Sequence, residues 1–214
     1  MAEARVHVVP EGVSDIFHPA PSPADEEMRR RAGVEEAGYV LWVGSLRARD
    51  PRKGLDILLR GLHVGGHRLV LVGDPGAEAD RVRGVAEVAG IDVTLTGRVP
   101  DEDLAALYRG AGVVVVPSLD EGFGLPLLEA MASGAPVVAS AAGNLPDLAA
   151  DAAMLVPPGD AGALVAGIDQ VLADPGLPAR LRELGPSRAS GFTWAEAARK
   201  TAAVYRRVVG SDWH

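Results

Sequence analysis

The amino-acid sequence predicts an α/β protein built on a doubly wound parallel sheet. Short apolar runs rich in β-branched residues recur along the chain, and glycine or proline bounds them. The segments between these runs carry apolar residues at helical spacing. One run, Val113 to Val116, is apolar at every position, which is typical of a strand covered by helices on both faces. Strands that alternate with crossover helices indicate a parallel sheet.

The apolar runs are the predicted strands. A further candidate strand, Val6–Val9, precedes a proline-rich stretch from Pro19 to Pro23 that we expect to be irregular. The strands of the sheet are predicted at Tyr39–Val43, Arg68–Val72, Asp92–Leu95, Gly112–Val116, Pro136–Ala139 and Ala153–Val156.

The segments between and after the strands are the predicted helices. Within the sheet region they are Gly54–His63, Glu78–Ala89, Glu102–Gly110 and Pro126–Ser133. Beyond Pro158 they are Ala161–Ala173, Leu177–Leu184 and Trp194–Val209, separated by Asp174-Pro175-Gly176 and by Gly185-Pro186. We therefore divide the chain into a connecting segment with a first strand (1–38), a sheet domain (39–190) and a C-terminal helix (191–214).

Composition narrows the classes of function. With 214 residues, 48% of them hydrophobic, the chain can bury a full core as one domain. The net charge of −8 disfavours a nucleic-acid partner, because such proteins usually carry a basic face. The absence of cysteine excludes disulfides, thiolate metal sites and thiol nucleophiles. No apolar run is long enough to span a bilayer and the first residues do not resemble a signal peptide, so we expect a cytoplasmic protein.

The loop after the first sheet strand is basic. It opens with Gly44 and Ser45, and four cationic residues follow before the next helix: Arg47, Arg49, Arg52 and Lys53. Ligands of open α/β sheets bind beyond the carboxyl ends of the strands, where cations beside a helix N-terminus suit a diphosphate. The alternative is an ordinary solvated loop.

A second loop carries two carboxylates around a glycine-rich run. Glu121 follows the fourth sheet strand, and Gly122 and Gly124 leave the backbone room to approach a ligand. Pro126 suits the first turn of a helix, which places Glu129 about one turn further on. Both carboxylates are then able to accept hydrogen bonds from sugar hydroxyls. The alternative is that Glu121 caps the helix and Glu129 is solvated.

Other polar runs have simpler explanations. The loop Thr96–Pro100 is a weak candidate for contacts with a flat base, and Ser140–Pro146 either closes over a ligand or is a plain turn. Asp101-Glu102-Asp103 has the spacing of a metal site, but acidic residues also favour the start of a helix. Gly73-Asp74-Pro75-Gly76 lacks the dinucleotide-binding fingerprint. The scattered histidines have neither metal-ligand spacing nor a triad partner.

Several short motifs occur in order along the chain. They are Val9-Pro10-Glu11-Gly12-Val13, Val43-Gly44-Ser45-Leu46, Pro51-Arg52-Lys53-Gly54, Leu71-Val72-Gly73, Thr96-Gly97-Arg98-Val99, Pro117-Ser118 and, above all, Glu121 to Glu129 with its continuation Ala130 to Ala139. In these motifs the chain, from about Val8 to Val209, resembles the retaining GT-B glycosyltransferases of family 4, also called group 1. Within that family it is similar to bacterial mannosyl- and glucosyltransferases of polysaccharide assembly.

The resemblance implies a Rossmann-like domain, one half of a GT-B fold, that binds a nucleotide diphosphate sugar such as a UDP-sugar or a GDP-sugar. Arg52 and Lys53 would neutralise the leaving diphosphate, Glu121 would bind a sugar hydroxyl and Glu129 the ribose hydroxyls. No cofactor or metal is implied, because the basic pair takes the place of a metal. The other donor-binding residues are expected to be Gly44, Ser45, Arg98, Val99, Gly122, Phe123, Gly124 and Leu125.

The sequence departs from the family pattern in two respects. Many members carry an arginine directly after the first glycine, where this chain has Ser45. Either Arg47 or Arg49 takes the place of that arginine, or Arg52 and Lys53 alone bind the diphosphate. The acceptor-binding N-terminal domain of the family is also missing. We therefore expect a truncated piece or a split gene product that is inactive alone, with its last helix packing on the missing domain. The whole enzyme would be cytoplasmic or peripheral to the inner membrane.

Three functions remain open at this point. The first is the donor-binding domain of a hexosyltransferase acting in polysaccharide or glycolipid assembly. The second is a nucleotide-sugar epimerase of the same architecture, and the third is a non-catalytic nucleotide-sugar-binding module.

Overall fold

The centre of the molecule is a six-stranded parallel sheet. The computed structural model describes residues 6–62 and 66–209. The strand order is β3-β2-β1-β4-β5-β6, and each neighbouring pair is parallel. The predicted doubly wound α/β fold is confirmed. The strands are β1 (Val40–Val43), β2 (Leu69–Val72), β3 (Val93–Gly97), β4 (Val113–Val116), β5 (Val137–Ser140) and β6 (Met154–Val156).

Helices cover both faces of the sheet. Leu41 of β1 belongs to the apolar core on one face, whereas Val40 and Trp42 belong to the core on the other. Because successive side chains of a strand point to opposite faces, a strand buried on both sides is apolar throughout. The helices are α1 (Asp25–Arg31), α2 (Leu55–Leu62), α3 (Ala77–Ala89), α4 (Asp101–Gly110), α5 (Leu125–Ala132), α6 (Leu145–Ala149), α7 (Ala161–Ala173), α8 (Gly176–Ala189) and α9 (Trp194–Val209).

The strand order reverses between β1 and β4. The chain runs outward from β1 to β2 and β3, and then returns across the sheet to β4, which pairs with β1 on its other side. At such a switch point the loops that follow the two neighbouring strands diverge and leave a crevice at their carboxyl ends. The basic loop after β1 and the glutamate loop after β4 therefore line the same crevice.

The predicted strand at Val6–Val9 is wrong. Residues 6–10 form no strand, and Val6 and Val8 expose 85% and 86% of their surface. The segment pairs with neither edge strand of the sheet, β3 or β6, and Val13 instead forms an isolated parallel bridge with Thr193 just before α9. The predicted end of α2 at His63 lies outside the described residues.

Further differences concern helices. The prediction broke the chain at Gly185-Pro186, but α8 continues through Pro186 to Ala189. Gly185 explains this, since a side chain there would lie 2.9 Å from the Met131 carbonyl oxygen, so that α8 packs closely against α5. Helix α1 was not predicted because its sequence is almost wholly charged. It is anchored by an ion pair between its buried Asp25 and Arg109 of α4.

None of the helices within residues 6–62 and 66–209 is long and apolar enough to cross a membrane.

Candidate functional site

The basic loop after β1 is fixed against the loop after β4. Pro51–Lys53 form a turn of 3-10 helix, and the Asp50 side chain caps it by accepting the Arg52 backbone N–H at 3.1 Å. Gly54 then adopts a left-handed conformation with φ of 68°. A Cβ at Gly54 would lie 1.8 Å from the Pro117 carbonyl oxygen, so the close approach of the two loops requires glycine here. A backbone hydrogen bond also connects the two loops, since the N–H of Leu119 donates to the Arg52 carbonyl at 2.6 Å.

An ion pair spans the crevice. Lys53 Nζ donates to Glu121 Oε2 at 2.9 Å, and the Ser118 hydroxyl donates to the same oxygen at 3.3 Å. The Glu121 side chain is only 12% exposed, whereas that of Lys53 is 40% exposed. These three residues, with Gly44 and Ser45, line a cavity of about 230 Å³ at the junction of β1 and β4. Lys53 therefore presents a cation, held by a shielded carboxylate, at the switch point.

The predicted basic pair is not brought together. Whereas Lys53 faces Glu121, the Arg52 guanidinium turns outward and makes a two-pronged contact with Asp50, with Nε at 3.0 Å and Nη2 at 2.9 Å from the carboxylate oxygens. This hydrogen-bonded pairing raises the pKa of Arg52 and lowers that of Asp50.

The two arginines expected to compensate for Ser45 are also paired. Arg47 lies 3.8 Å from Asp74, and Arg49 donates to Asp56 at 2.6 Å. Arg49 and Asp56 line a separate cavity of about 780 Å³ beside α2 and α3. That cavity is larger than the crevice, but none of the predicted donor-binding residues lines it. Asp56 also accepts a hydrogen bond from Arg81, so this carboxylate partly neutralises the charges of both Arg49 and Arg81.

The glycine-rich run forms the entrance to α5. Gly124 has φ of 103° and directly precedes Leu125, the first residue of the helix, and Pro126 lies in the first turn as predicted. Asn144 braces the run, because its backbone N–H donates to the Glu121 carbonyl at 3.1 Å and its side-chain amide to the Phe123 carbonyl at 3.2 Å. The first N–H groups of a helix have no partner within the helix and suit an anionic ligand.

Glu129 lies further along α5 in a shielded position. Its Oε2 accepts a hydrogen bond from the buried Tyr108 hydroxyl of α4 at 2.9 Å. Burial raises the pKa of Glu129 from 4.5 to about 7; the Tyr108 hydrogen bond opposes this rise and the charge of Asp101 adds to it. Near neutral pH a carboxyl with this pKa changes between an acid and a carboxylate, so its capacity to accept hydrogen bonds depends on pH.

The remaining predicted contacts lie around these groups. Gly122 is exposed, and the half-buried Phe123 ring stacks edge-on against Phe192, with 6.3 Å between the ring centroids. Arg98 is exposed after β3, and the Val99 side chain packs on the apolar core. Val99 would therefore contact a ligand through its backbone.

Sequence reasoning missed three residues that support the glutamates. Ser118 was detectable, because it lies two residues after the end of β4 and three residues before Glu121. Asn144 lies in a loop that was interpreted as a possible lid. Tyr108 gave no signal, since only the packing of α4 against α5 brings its hydroxyl to Glu129.

The acidic run at Asp101 opens α4, as the helix-start interpretation predicted. Asp103 is buried and pairs with Arg31 of α1. Among residues 6–62 and 66–209, no group of three or more His, Cys, Asp or Glu side chains is arranged to hold a metal ion.

Comparisons with known proteins place this geometry in context. The sequence model of a family described as "Glycosyl transferases group 1" matches residues 24–188. The chain is similar to D-inositol 3-phosphate glycosyltransferase of Acidothermus cellulolyticus, with 37% identity over 94% of this chain and 48% of the relative. It is also similar to O-antigen chain mannosyltransferase B of Escherichia coli, with 35% identity over 79% of this chain and 46% of the relative.

A solved structure agrees with the sequence relatives. Sucrose-phosphate synthase from Thermosynechococcus elongatus superposes with a TM-score of 0.83 and 34% identity, over 96% of this chain and 53% of that protein. The chain thus spans about half the length of the curated relatives it matches.

Proposed function

This chain belongs to the glycosyl transferases group 1 family, and from that premise we propose that it binds the nucleotide diphosphate sugar that supplies a hexose for transfer. One observation carries the proposal: the Lys53–Glu121 ion pair lies at the switch point of the sheet, beside the glycine-rich start of α5. The crevice thus offers a cation and helix N–H groups to a diphosphate, and a shielded carboxylate to sugar hydroxyls.

The proposed roles follow the geometry. Lys53 contacts the diphosphate and stabilises the charge that develops on it as the sugar departs. Arg52 joins it by leaving Asp50, with which it is paired at the exposed surface. Glu121 accepts from a hydroxyl of the donor sugar and Glu129 from the ribose, while the backbone of Phe123 to Leu125 binds sugar or phosphate. In this scheme Gly44, Ser45, Arg98 and Val99 complete the site, and the basic pair makes a metal unnecessary.

The finer class is part of the same proposal. We propose a retaining hexosyltransferase of family 4 that uses a UDP-sugar or a GDP-sugar and acts in the cytoplasm, or on the inner membrane, in polysaccharide or glycolipid assembly. The relatives named above are called transferases, which favours transfer over the epimerase alternative. The support for family 4 and for retention is the resemblance of the Glu121 to Glu129 motif.

Transfer also needs a site for the acceptor, and we propose that a separate N-terminal domain provides it. In this proposal residues 39–190 bind the donor, 1–38 connect the two domains, and the helix in 191–214 packs on the partner domain. The exposed side chains of Trp194, Tyr205 and Val208 on α9, at 53%, 66% and 77%, give that helix an apolar surface for such a contact. The isolated chain is then expected to bind the donor without transferring the sugar.

A calorimetric titration of the chain with UDP, GDP, ADP and their glucose or mannose derivatives tests donor binding. We expect one nucleotide to bind, and Lys53→Ala and Glu129→Ala to weaken its binding by tenfold or more. Lys200→Ala is a matched control, because the Lys200 side chain on α9 is 41% exposed, close to the 40% of Lys53. Failure of the folded chain to bind any member of the panel would refute the proposal.

A further inference from the structure

A second polar cavity lies at the amino ends of the strands, opposite to the donor crevice. In a parallel α/β sheet the helices run against the strands, so the ends of α4 and α5 lie at the amino ends of β4 and β5. There, Gly110 and the pair Ser133-Gly134 line a cavity of about 560 Å³, together with Arg29 of α1 and Arg182 of α8. None of the residues proposed to bind the donor lines this cavity.

Two buried polar atoms in its wall lack a partner. Among the described residues, Arg29 Nε and Ser133 Oγ are the buried side-chain nitrogen and oxygen atoms that make no hydrogen bond. Ser133 is only 2% exposed, and both residues line the same cavity. Buried polar groups in folded proteins nearly always have a hydrogen-bond partner, so two unpartnered atoms around one cavity indicate a ligand with matching groups.

The charges around the cavity do not balance. Arg109 is neutralised by Asp25, which it contacts through Nε at 2.8 Å and Nη2 at 2.6 Å. Arg182 instead donates to two backbone carbonyls, those of Gly134 at 3.1 Å and Ala111 at 3.2 Å. Among the described residues, Arg29 and Arg182 make no ion pair at 4.0 Å or less, although Arg29 lies near enough to Asp25 for its charge to help lower the pKa of that carboxyl.

The burial of Arg182 supports the same view, since desolvation lowers its pKa and no anion offsets that effect. Glu26 also lines the cavity, but its side chain is 70% exposed and its carboxylate lies 3.8 Å from Arg30. The cavity therefore contains three guanidinium groups, of Arg29, Arg109 and Arg182, with Asp25 as their close counter-charge, and a hydroxyl without a partner.

We propose that this cavity binds a phosphate-class oxyanion, held by the guanidinium groups of Arg29 and Arg182 and by the Ser133 hydroxyl. A tetrahedral anion has several acceptor oxygens, which match planar guanidinium donors and a hydroxyl approaching from another side. Gly110 provides the room for Arg29, because a Cβ at that position would lie 2.6 Å from Arg29 Cδ. Inorganic phosphate and a phosphomonoester share this chemistry.

The site is distinct from the donor crevice but connected to it through α5. The Ser133 backbone N–H donates to the Glu129 carbonyl at 2.9 Å, so the two proposed sites lie one helical turn apart on the same helix. The anion site does not depend on the proposed donor chemistry, because it shares no side chain with the crevice.

Phosphate titration of the Lys53→Ala chain tests the proposal, since that variant weakens phosphate binding in the donor crevice. Calorimetry and thermal unfolding with inorganic phosphate, and in parallel with glycerol 3-phosphate, report affinity and identify the preferred source of the phosphate group. We expect one binding site, which Arg29→Gln and Ser133→Ala each weaken by tenfold or more. Arg180→Gln, which removes an exposed charge of α8 outside the cavity, should leave the affinity unchanged.

Ser133→Ala keeps the test decisive if Arg29→Gln fails to fold, because it removes only an oxygen that has no partner in the protein. Absence of phosphate binding in the folded Lys53→Ala chain would overturn the proposal. Equal phosphate affinity with and without the Ser133 hydroxyl would also overturn it.

Discussion

Replacing Glu129 by glutamine should change the way in which stability depends on pH. Burial raises the pKa of this carboxyl to about 7 in the folded chain, from 4.5. A carboxyl with a raised folded pKa stabilises the fold fully while protonated, below about pH 4.5, and this contribution is lost as pH rises through about 7. The pKa difference means that above pH 8 the free energy of unfolding is about 3 kcal/mol lower than it is below pH 4.5.

Glutamine keeps the shape and the acceptor oxygen for Tyr108 but carries no charge at any pH. We therefore expect the Glu129→Gln chain to gain stability relative to wild type as pH rises from 4.5 to 8, by up to about 3 kcal/mol. Urea denaturation of both chains at several pH values measures the difference. Glu102→Gln, which removes an exposed carboxylate from α4, controls for the loss of one negative charge. A wild-type to variant difference that stays constant between pH 4.5 and 8 would refute the reasoning.

Two further predictions follow from contacts around the crevice. Tyr108→Phe removes a hydrogen bond that lowers the pKa of Glu129, so the midpoint of the same pH dependence should move upward; an unchanged midpoint in the urea series would contradict this. Gly54→Ala forces a Cβ against the Pro117 carbonyl in a left-handed conformation and should destabilise the chain by about 2 kcal/mol or more. Gly84→Ala is its control, since nothing lies within 4 Å of a Cβ there, and Ala at this helical position should stabilise by about 1 kcal/mol in the same urea assay.

The sequence was sufficient to predict the sheet, because continuous apolar runs such as Val113 to Val116 have few other places to lie. It also placed the loops after β1 and β4 at the same end of the sheet, since parallel strands have their carboxyl ends together. The contact between Lys53 and Glu121 depends in addition on the strand order, in which β1 and β4 are neighbours. The ligand roles of both residues stay predictions.

Other features depend on packing that has no local signature. The continuation of α8 through Pro186 is explained by the close contact of Gly185 with α5. A prediction based on helix-breaking residues takes no account of such a contact. The position of the Tyr108 hydroxyl depends on how α4 packs against α5, and the outward turn of Arg52 depends on Asp50, two residues away. The joint action of Arg52 and Lys53 was implied by the resemblance to the family, which takes no account of the local pairing with Asp50.

The loops beyond β1, β2 and β3 are bonded to one another through their backbones. Gly44 donates to the Val72 carbonyl at 2.9 Å, Gly73 to the Gly97 carbonyl at 3.1 Å, and Leu46 to the Asp74 carbonyl at 3.0 Å. Such bonds do not depend on side-chain identity, so exchanging a non-glycine side chain in these loops leaves the framework in place, whereas Gly73 has no room for a Cβ beside the Gly44 carbonyl. During evolution, new ligand preferences could therefore arise by single substitutions in a scaffold whose shape is inherited unchanged.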